Sequence, residues 1–123
     1  MHEYSLVRAL FGEVDKLVAT AGEVLVKEVR VQVGPLSAVE PLLLCSAFTN
    51  LVPRSSIPDA ELIVTEVPLT AECLACGHGC EIIGFRFRCP RCESTRLRVT
   101  GGDIMLLESI TVEPRHAAPE ILS

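Results

Sequence analysis

Two pairs of cysteines limit the possible folds of this chain more than any other feature of its sequence. Each pair has the spacing C-x2-C, and twelve residues separate Cys73 and Cys76 from Cys89 and Cys92. Two tight turns at this distance can bring four thiolates around one tetrahedral ion. Gly77 directly follows the first pair, as suits a turn whose backbone N–H groups point back at the sulfurs. The sequence therefore predicts a structural zinc site.

Other uses of these sulfurs stay open at this point. The cysteines can form two disulfides, although regular C-x2-C spacing in an intracellular chain is more typical of metal. Iron can occupy the same tetrahedron of thiolates, which would give a rubredoxin-like electron carrier. His78 and Cys80 lie between the pairs and can substitute as ligands. Because four thiolates already complete a closed site, we expect both to be loop residues.

The charge of the chain and the closed thiolate site each disfavour a class of function. The 123 residues include 11 basic and 16 acidic side chains, and a net charge of -5 disfavours a nucleic-acid partner for the whole chain. The cysteine module is nevertheless locally basic, with Arg86, Arg88, Arg91, Arg96 and Arg98. A zinc-ribbon adaptor that contacts nucleic acid or protein through this surface is therefore the alternative function. An enzyme is disfavoured, because a closed thiolate site leaves no open position for substrate.

The sequence shows neither a signal peptide nor a membrane span. Its N-terminus has no basic segment followed by an apolar one, and no apolar run approaches the about 20 residues that cross a bilayer. We therefore expect a cytoplasmic protein with no membrane contact.

Hydrophobic periodicity predicts two helices and three strands outside the cysteine module. The helices are expected at residues 4–19 and about 39–51, and the strands at 24–33, 62–67 and 104–112. The second helix begins with a capping box from Ser37 to Glu40 or slightly later, with Pro41 as its first residue. Its predicted apolar face is Val39, Leu42, Leu43, Ala47 and Leu51. Cys45 is then a small core or surface residue rather than a ligand.

The order of these elements predicts an α+β fold, with two helices on a three-stranded mixed sheet and an inserted zinc ribbon. A strand, helix and strand in succession favour a parallel pair, and we expect the second and third of these strands to pair antiparallel. The domains are expected at 1–68 plus 101–113 and at 69–100. Residues 114–123 read as a flexible tail, in which His116 is solvated.

The first three residues form a second candidate metal site. The α-amine of Met1, the amide nitrogen that follows it and a ring nitrogen of His2 can form fused chelate rings. Such in-plane nitrogen donors suit Ni(II) or Cu(II). A chance Met-His-Glu start is the alternative, with Glu3 only favouring a helix N-terminus.

A resemblance that covers nearly the whole chain favours a metal site at the N-terminus over a chance Met-His-Glu start. The motifs that carry it are Met1-His-Glu-Tyr-Ser-Leu6, Gly34-Pro-Leu-Ser-Ala-Val-Glu-Pro41, Ala60-Glu-Leu62 before Val67-Pro68, the two cysteine pairs and Gly101-Gly-Asp-Ile-Met-Leu106. In order and spacing they resemble the HypA/HybF family, whose members are nickel metallochaperones for maturation of [NiFe] hydrogenase and, in some bacteria, urease.

The resemblance implies a set of ligands and partners. It makes His2 the principal nickel ligand, helped by the Met1 amine and by Glu3, with Ni2+ as the transported ion. It gives structural Zn2+ to Cys73, Cys76, Cys89 and Cys92. The implied partners are HypB, the nickel-loading GTPase of the same pathway, the hydrogenase large subunit and, in some bacteria, urease maturation proteins. No nucleic acid or membrane is implied.

Overall fold

The computed structural model describes the backbone from His2 to Pro114 and the side chains from Glu3 onward. Its elements in chain order are α1 (His2–Ala19), β1 (Val24–Val33), α2 (Pro41–Leu51), a 3-10 helix (Val52–Arg54), β2 (Glu61–Glu66), β3 (Leu69–Cys73), β4 (Gly79–Ile82), β5 (Leu97–Gly101) and β6 (Met105–Pro114). The predicted helices and strands outside the cysteine module are confirmed to within two residues at each end. Met1 and residues 115–123, with His116 and nearly all of the predicted tail, lie outside the described residues.

The strands form two three-stranded sheets. One has the order β2-β1-β6, and the other has the order β4-β3-β5 with both pairings antiparallel. The predicted class, two helices and a three-stranded mixed sheet with an added ribbon, is confirmed. The prediction that β2 pairs with the last strand is wrong, because β6 pairs with β1. Three ribbon strands precede β6 in the chain, so the rule for sequential strands no longer applies, and β6 matches β1 in length at 10 residues each.

The chain divides into two compact units. Within the described residues, the first comprises 2–31, 40–64 and 107–114, and the second comprises 32–39 and 65–106. No helix in the described part of the chain is long and apolar enough to cross a membrane.

In the first unit, α1 buries the central part of its predicted apolar stripe, while Leu17 in the last turn of the same stripe is 46% exposed. Val7, Leu10 and Val14 are fully buried, whereas the charged residues after the first turn, from Arg8 to Lys16, are exposed. The helix packs against α2, where the rings of Phe11 and Phe48 lie 5.6 Å apart between centroids. The burial of these aromatic and branched side chains is the main contribution to the stability of the helix pair.

The buried face of α2 differs from the prediction. Leu42 and Leu43 are 77% and 53% exposed, and the buried residues are Leu44, Ala47 and Phe48. Three consecutive leucines leave the phase of the helix undetermined from sequence. The stripe formed by positions 44, 47 and 48 has the spacing of one helical face and is the one the fold uses.

Of the two predicted starts of α2, the structure shows the later one. Pro41 is the first helical residue, and the Glu40 carboxylate caps the helix by accepting a hydrogen bond from the Leu42 N–H at 3.3 Å. Ser37 stabilises the preceding turn instead. Its hydroxyl donates to the Gly34 carbonyl at 2.7 Å.

In the second unit, two glycines allow a close backbone approach beside the ribbon. A Cβ atom on Gly34 would lie 2.2 Å from the Gly102 Cα, and Gly102 itself has a φ of +85°. The Leu36 N–H donates to the Gly102 carbonyl at 2.9 Å. Residues 32–39 are therefore tied by backbone hydrogen bonding to the segment that leaves β5.

Candidate metal centre

The ribbon sheet sets the position of the first cysteine pair. Cys73 is the last residue of the central strand β3 and lies opposite Leu97 of β5. Successive residues of a strand alternate between faces, so Cys73 shares its face with Leu69 and Ala71. These two residues and Ile82 form the buried apolar cluster of the ribbon. The cluster therefore orients one end of the metal site.

The four predicted zinc ligands come together in one cluster. All their sulfur atoms lie within 4.8 Å of one another. The Sγ atoms of Cys73 and Cys92 are 3.5 Å apart, and those of Cys76 and Cys89 are 3.7 Å apart. A regular tetrahedron with Zn–S bonds of about 2.3 Å has edges of about 3.8 Å, whereas a disulfide needs about 2.05 Å. The cluster therefore fits a structural zinc ion and not a pair of disulfides.

The two C-x2-C turns share one backbone pattern. In the first, the Gly77 N–H donates to the Cys73 carbonyl at 2.8 Å, and the Cys73 N–H donates to the His78 carbonyl at 2.9 Å. The second repeats both bonds at the same offsets. The Glu93 N–H donates to the Cys89 carbonyl at 2.8 Å, and the Cys89 N–H donates to the Ser94 carbonyl at 2.9 Å. We call these turns the first knuckle (73–78) and the second knuckle (89–94).

Both knuckles need a left-handed backbone at their fifth position. Gly77 has a φ of +78° and Glu93 has a φ of +64°. Glycine adopts this conformation freely, but a side chain with a Cβ atom does so at a cost. Gly77 is marked in the sequence as a turn residue, whereas Glu93 is not. Aligning the two knuckles on their first cysteines would have placed Glu93 at the same position.

Backbone N–H groups stabilise the thiolate form of the first cysteine in each knuckle. The N–H of Cys76 makes the largest contribution, burial opposes it, and the Ala75 N–H adds to it, so that the pKa of Cys73 falls to about 6. The N–H groups of Cys92 and Arg91 likewise lower the pKa of Cys89. Hydrogen bonds of this kind also orient the sulfurs and adjust their strength as metal ligands.

The fourth sulfur shows why a cation is required. The Ser94 N–H lowers the pKa of Cys92, but the neighbouring sulfurs, led by that of Cys73, and burial outweigh it and raise this pKa to about 12. Four thiolates this close repel one another unless a positive ion lies between them. A divalent metal supplies the charge that keeps all four cysteines deprotonated.

The other sulfur and imidazole groups of the ribbon lie outside the cluster. Cys80 is half-buried opposite Ala71 and packs against the apolar cluster of the ribbon. Burial is the main reason that its pKa is raised, and this favours the neutral thiol. His78 is half-buried and contributes its backbone carbonyl to the first knuckle. The remaining cysteine outside the ribbon, Cys45, is a half-buried residue of α2.

The predicted nickel ligands lie at the edge of the described chain. Met1 is outside the described residues, and His2 is described only as the first residue of α1. Glu3 is half-buried in the first turn of that helix, where a carboxylate favours the positive end of the helix dipole. The arrangement of these three residues around nickel stays a prediction.

Comparison with known proteins identifies the family. The family model described as hydrogenase/urease nickel incorporation, metallochaperone, HypA matches residues 1–112. The chain belongs to the HypA family. Among curated HypA proteins it is similar to the hydrogenase maturation factor HypA of Shewanella sp. (strain MR-7), at 35% identity over 92% of this chain and 96% of that protein. The HypA of Shewanella oneidensis is 33% identical over 96% of this chain and 100% of that protein.

Solved HypA structures have the same fold. The solution structure of the Ni metallochaperone HypA from Helicobacter pylori gives a TM-score of 0.72 at 26% identity, covering 92% of this chain and 98% of that one. A second solution structure of a HypA protein gives 0.69 at 28% identity, covering 89% and 94%. The similarity therefore includes both the helical unit and the ribbon.

Proposed function

We propose that this chain is a nickel metallochaperone of hydrogenase maturation, which binds Ni2+ at its N-terminus while Zn2+ holds the ribbon folded. The observation that carries this proposal is the HypA family match over residues 1–112 of the chain. The four-sulfur cluster supports it, because it provides a permanent zinc site that is distinct from the N-terminal residues proposed to bind nickel. The protein acts by delivering metal, without catalysis of its own. The nucleic-acid adaptor is not favoured by any of the family matches.

The nickel site in this proposal uses Met1, His2 and Glu3. His2 is the principal ligand through its imidazole, and the Met1 amine and the amide between them complete the chelate. Nitrogen donors of this kind bind only when deprotonated, so nickel can be released when they regain protons. A closed site of four thiolates holds its ion far more permanently. The two ions therefore suit opposite tasks, transport and structure.

The proposal extends to domains, partners and compartment. In this proposal residues 1–68 plus 101–113 form the nickel domain and residues 69–100 the zinc-ribbon domain, although the compact unit that contains the ribbon extends over 65–106 and includes 32–39. The partners are the nickel-loading GTPase HypB and the hydrogenase large subunit, with urease maturation proteins as further recipients, and the protein acts in the cytoplasm. The names of the curated relatives support the general role, since they are hydrogenase maturation factors.

The test of the nickel site is a pair of changes at the N-terminus. Adding one Gly before Met1 turns its amine into an amide and moves the new amine away from His2. The His2→Ala variant removes the imidazole and leaves the amine. We expect each change to weaken nickel binding at pH 7.5 by at least ten-fold in a calorimetric titration. The native protein should also lose nickel below about pH 6.5, where free imidazole becomes protonated.

Zinc content is the internal control of this experiment. Both variants should keep about one zinc per chain, because the sulfur cluster lies in the ribbon. If the Gly-extended protein binds nickel as tightly as the native one, the amine chelate is wrong. If neither variant loses nickel, the site is elsewhere in the chain. Native protein that takes up no nickel at all would overturn the proposed function.

A further inference from the structure

The turn that follows β4 carries an exposed surface that the metal sites do not use. We define the ribbon tip as residues 83–88 together with Arg91, which lie between Ile82, the last residue of β4, and Cys92 and include none of the four zinc ligands. Ile83, Phe85 and Phe87 are 72%, 58% and 41% exposed. The Phe85 and Phe87 rings are 6.5 Å apart between centroids, so they form one aromatic patch in solvent. Contiguous exposed apolar side chains of this kind mark interaction sites.

The backbone of the tip indicates that this exposure is not a by-product of folding. Gly84 and Phe85 both have positive φ, at 63° and 57°, and the Arg86 N–H donates to the Ile83 carbonyl at 3.2 Å. Two consecutive left-handed residues make a tight turn in which Asn or Gly is favoured at both positions. A phenylalanine at the second one costs folding free energy and gains little burial in return. A functional use of the ring explains why the position holds it.

The charge of the tip is opposite to that of the rest of the chain. The tip contains Arg86, Arg88 and Arg91 and no acidic residue, whereas the remainder carries 8 basic and 16 acidic residues. All three arginines are exposed. Within the described residues none of them is in an ion pair, although Arg98 nearby in sequence pairs with Glu72 at 2.7 Å. Three guanidinium groups are therefore available to carboxylates of another molecule.

We infer that the ribbon tip is a docking surface for an acidic, aliphatic segment of a partner protein. Aliphatic side chains of that segment would cover Ile83 and the phenylalanine pair, while its carboxylates would accept hydrogen bonds from the arginines. A nucleic acid is the less suitable occupant. Three cations release few counterions, and Ile83 offers no stacking surface for a base.

The test measures fluorescence anisotropy with full-length, zinc-loaded protein and three labelled probes. The first is a twelve-residue peptide that alternates Glu with Leu, the second replaces every Glu by Gln, and the third is a dodecamer of thymidine. We expect the acidic peptide to bind at least ten-fold more tightly than either of the others. Added salt should weaken this binding, because the arginine contacts are exposed.

The Phe85→Asn variant separates docking from stability. Asparagine tolerates a left-handed backbone, so the ribbon should unfold at the same or a higher temperature than in the native protein. The acidic peptide should nevertheless bind at least ten-fold more weakly, because the ring is gone. The R86Q/R88Q double variant should lose binding and its salt dependence together. Leu42→Ser, on the exposed face of α2, is the matched control and should bind like the native protein.

Three results would overturn the inference. The first is no binding of the acidic peptide to the native protein, and the second is tighter binding of the oligonucleotide, which would make the tip a nucleic-acid contact. The third is Phe85→Asn binding that equals the native value. None of these results depends on nickel uptake. A negative result would therefore contradict the docking surface without contradicting the proposed nickel site at the N-terminus.

Discussion

The two knuckles are built alike from different residues. In each, the first cysteine is buried and the second is exposed, and the same two backbone hydrogen bonds close the turn. At the fifth position, however, the first knuckle has Gly77 and the second has Glu93, both left-handed. The metal geometry therefore fixes the backbone conformation at this position but not the side chain. Zinc binding worth about 10–16 kcal/mol can hold a turn whose strain is about 1–2 kcal/mol.

The largest effect is expected from removing a buried ligand. Cys89→Ser should abolish tight zinc binding and unfold residues 73–98, because the folding free energy of the ribbon comes mainly from its metal. Cys89 is fully buried and its sulfur accepts a hydrogen bond from the Arg91 N–H at 3.4 Å. A serine hydroxyl is neutral and is not a usual zinc ligand, so it cannot replace the thiolate. Elemental analysis and amide hydrogen exchange would measure both consequences, and exchange protection in α1 and α2 should persist.

Cys80→Ser is the matched control for this change. Its thiol lies outside the four-sulfur cluster, and we expect one zinc per chain to remain. Zinc that stays bound in Cys89→Ser but is lost when Cys80 is changed as well would show that Cys80 can act as a ligand.

A smaller effect should follow from giving the first knuckle a side chain at its fifth position. A Cβ atom on Gly77 would meet nothing within 4 Å, so Gly77→Ala tests the backbone conformation alone. We expect a loss of about 1–2 kcal/mol, which weakens zinc binding roughly five- to thirty-fold. A competition titration with a chromophoric chelator would measure it. Gly79→Ala is the control, because Gly79 also has open space around it but no positive φ. Equal losses of zinc affinity in both variants would contradict the role assigned to the left-handed backbone at Gly77.

The smallest effect should come from relaxing the second knuckle. Glu93→Gly removes the strain at φ +64° but increases the freedom of the unfolded chain, so the gain should be under about 1 kcal/mol. The ribbon should release zinc at a correspondingly higher chelator concentration. Glu93→Gln keeps the strain and removes the charge. If Glu93→Gln stabilises the ribbon as much as Glu93→Gly does, the charge of Glu93 and not backbone strain destabilises the second knuckle.

The limits of sequence analysis are visible at particular residues. Regular cysteine spacing was enough to predict the four-sulfur cluster, because ligand geometry leaves few alternatives. No glycine marks the left-handed backbone at Glu93, and only an alignment of the two knuckles on their first cysteines indicates it. The phase of α2 was predicted incorrectly because Leu42, Leu43 and Leu44 look alike, and only packing distinguishes them. Ser37 fits a capping box and a turn equally well by pattern.

Topology and the nickel site show two further limits. The pairing of β6 with β1 could not be read from strand order, because three ribbon strands intervene and the long-range contact decides. The chelate at Met1 and His2 was inferred from donor chemistry and family resemblance. It stays a prediction, since Met1 and the His2 side chain lie outside the described residues.

The contact between Gly34 and Gly102 has a consequence for anyone who dissects or exchanges ribbons among HypA proteins. A fragment cut at 69–100 would omit both glycines and the hydrogen bond from Leu36 to Gly102. The smallest transferable piece is therefore discontinuous and needs residues 32–39 together with 65–106. A graft that brings a side chain to position 34 would clash with the Gly102 backbone, and one that brings a side chain to position 102 would clash with the backbone of Pro68 and Leu69, however well its cysteines were spaced.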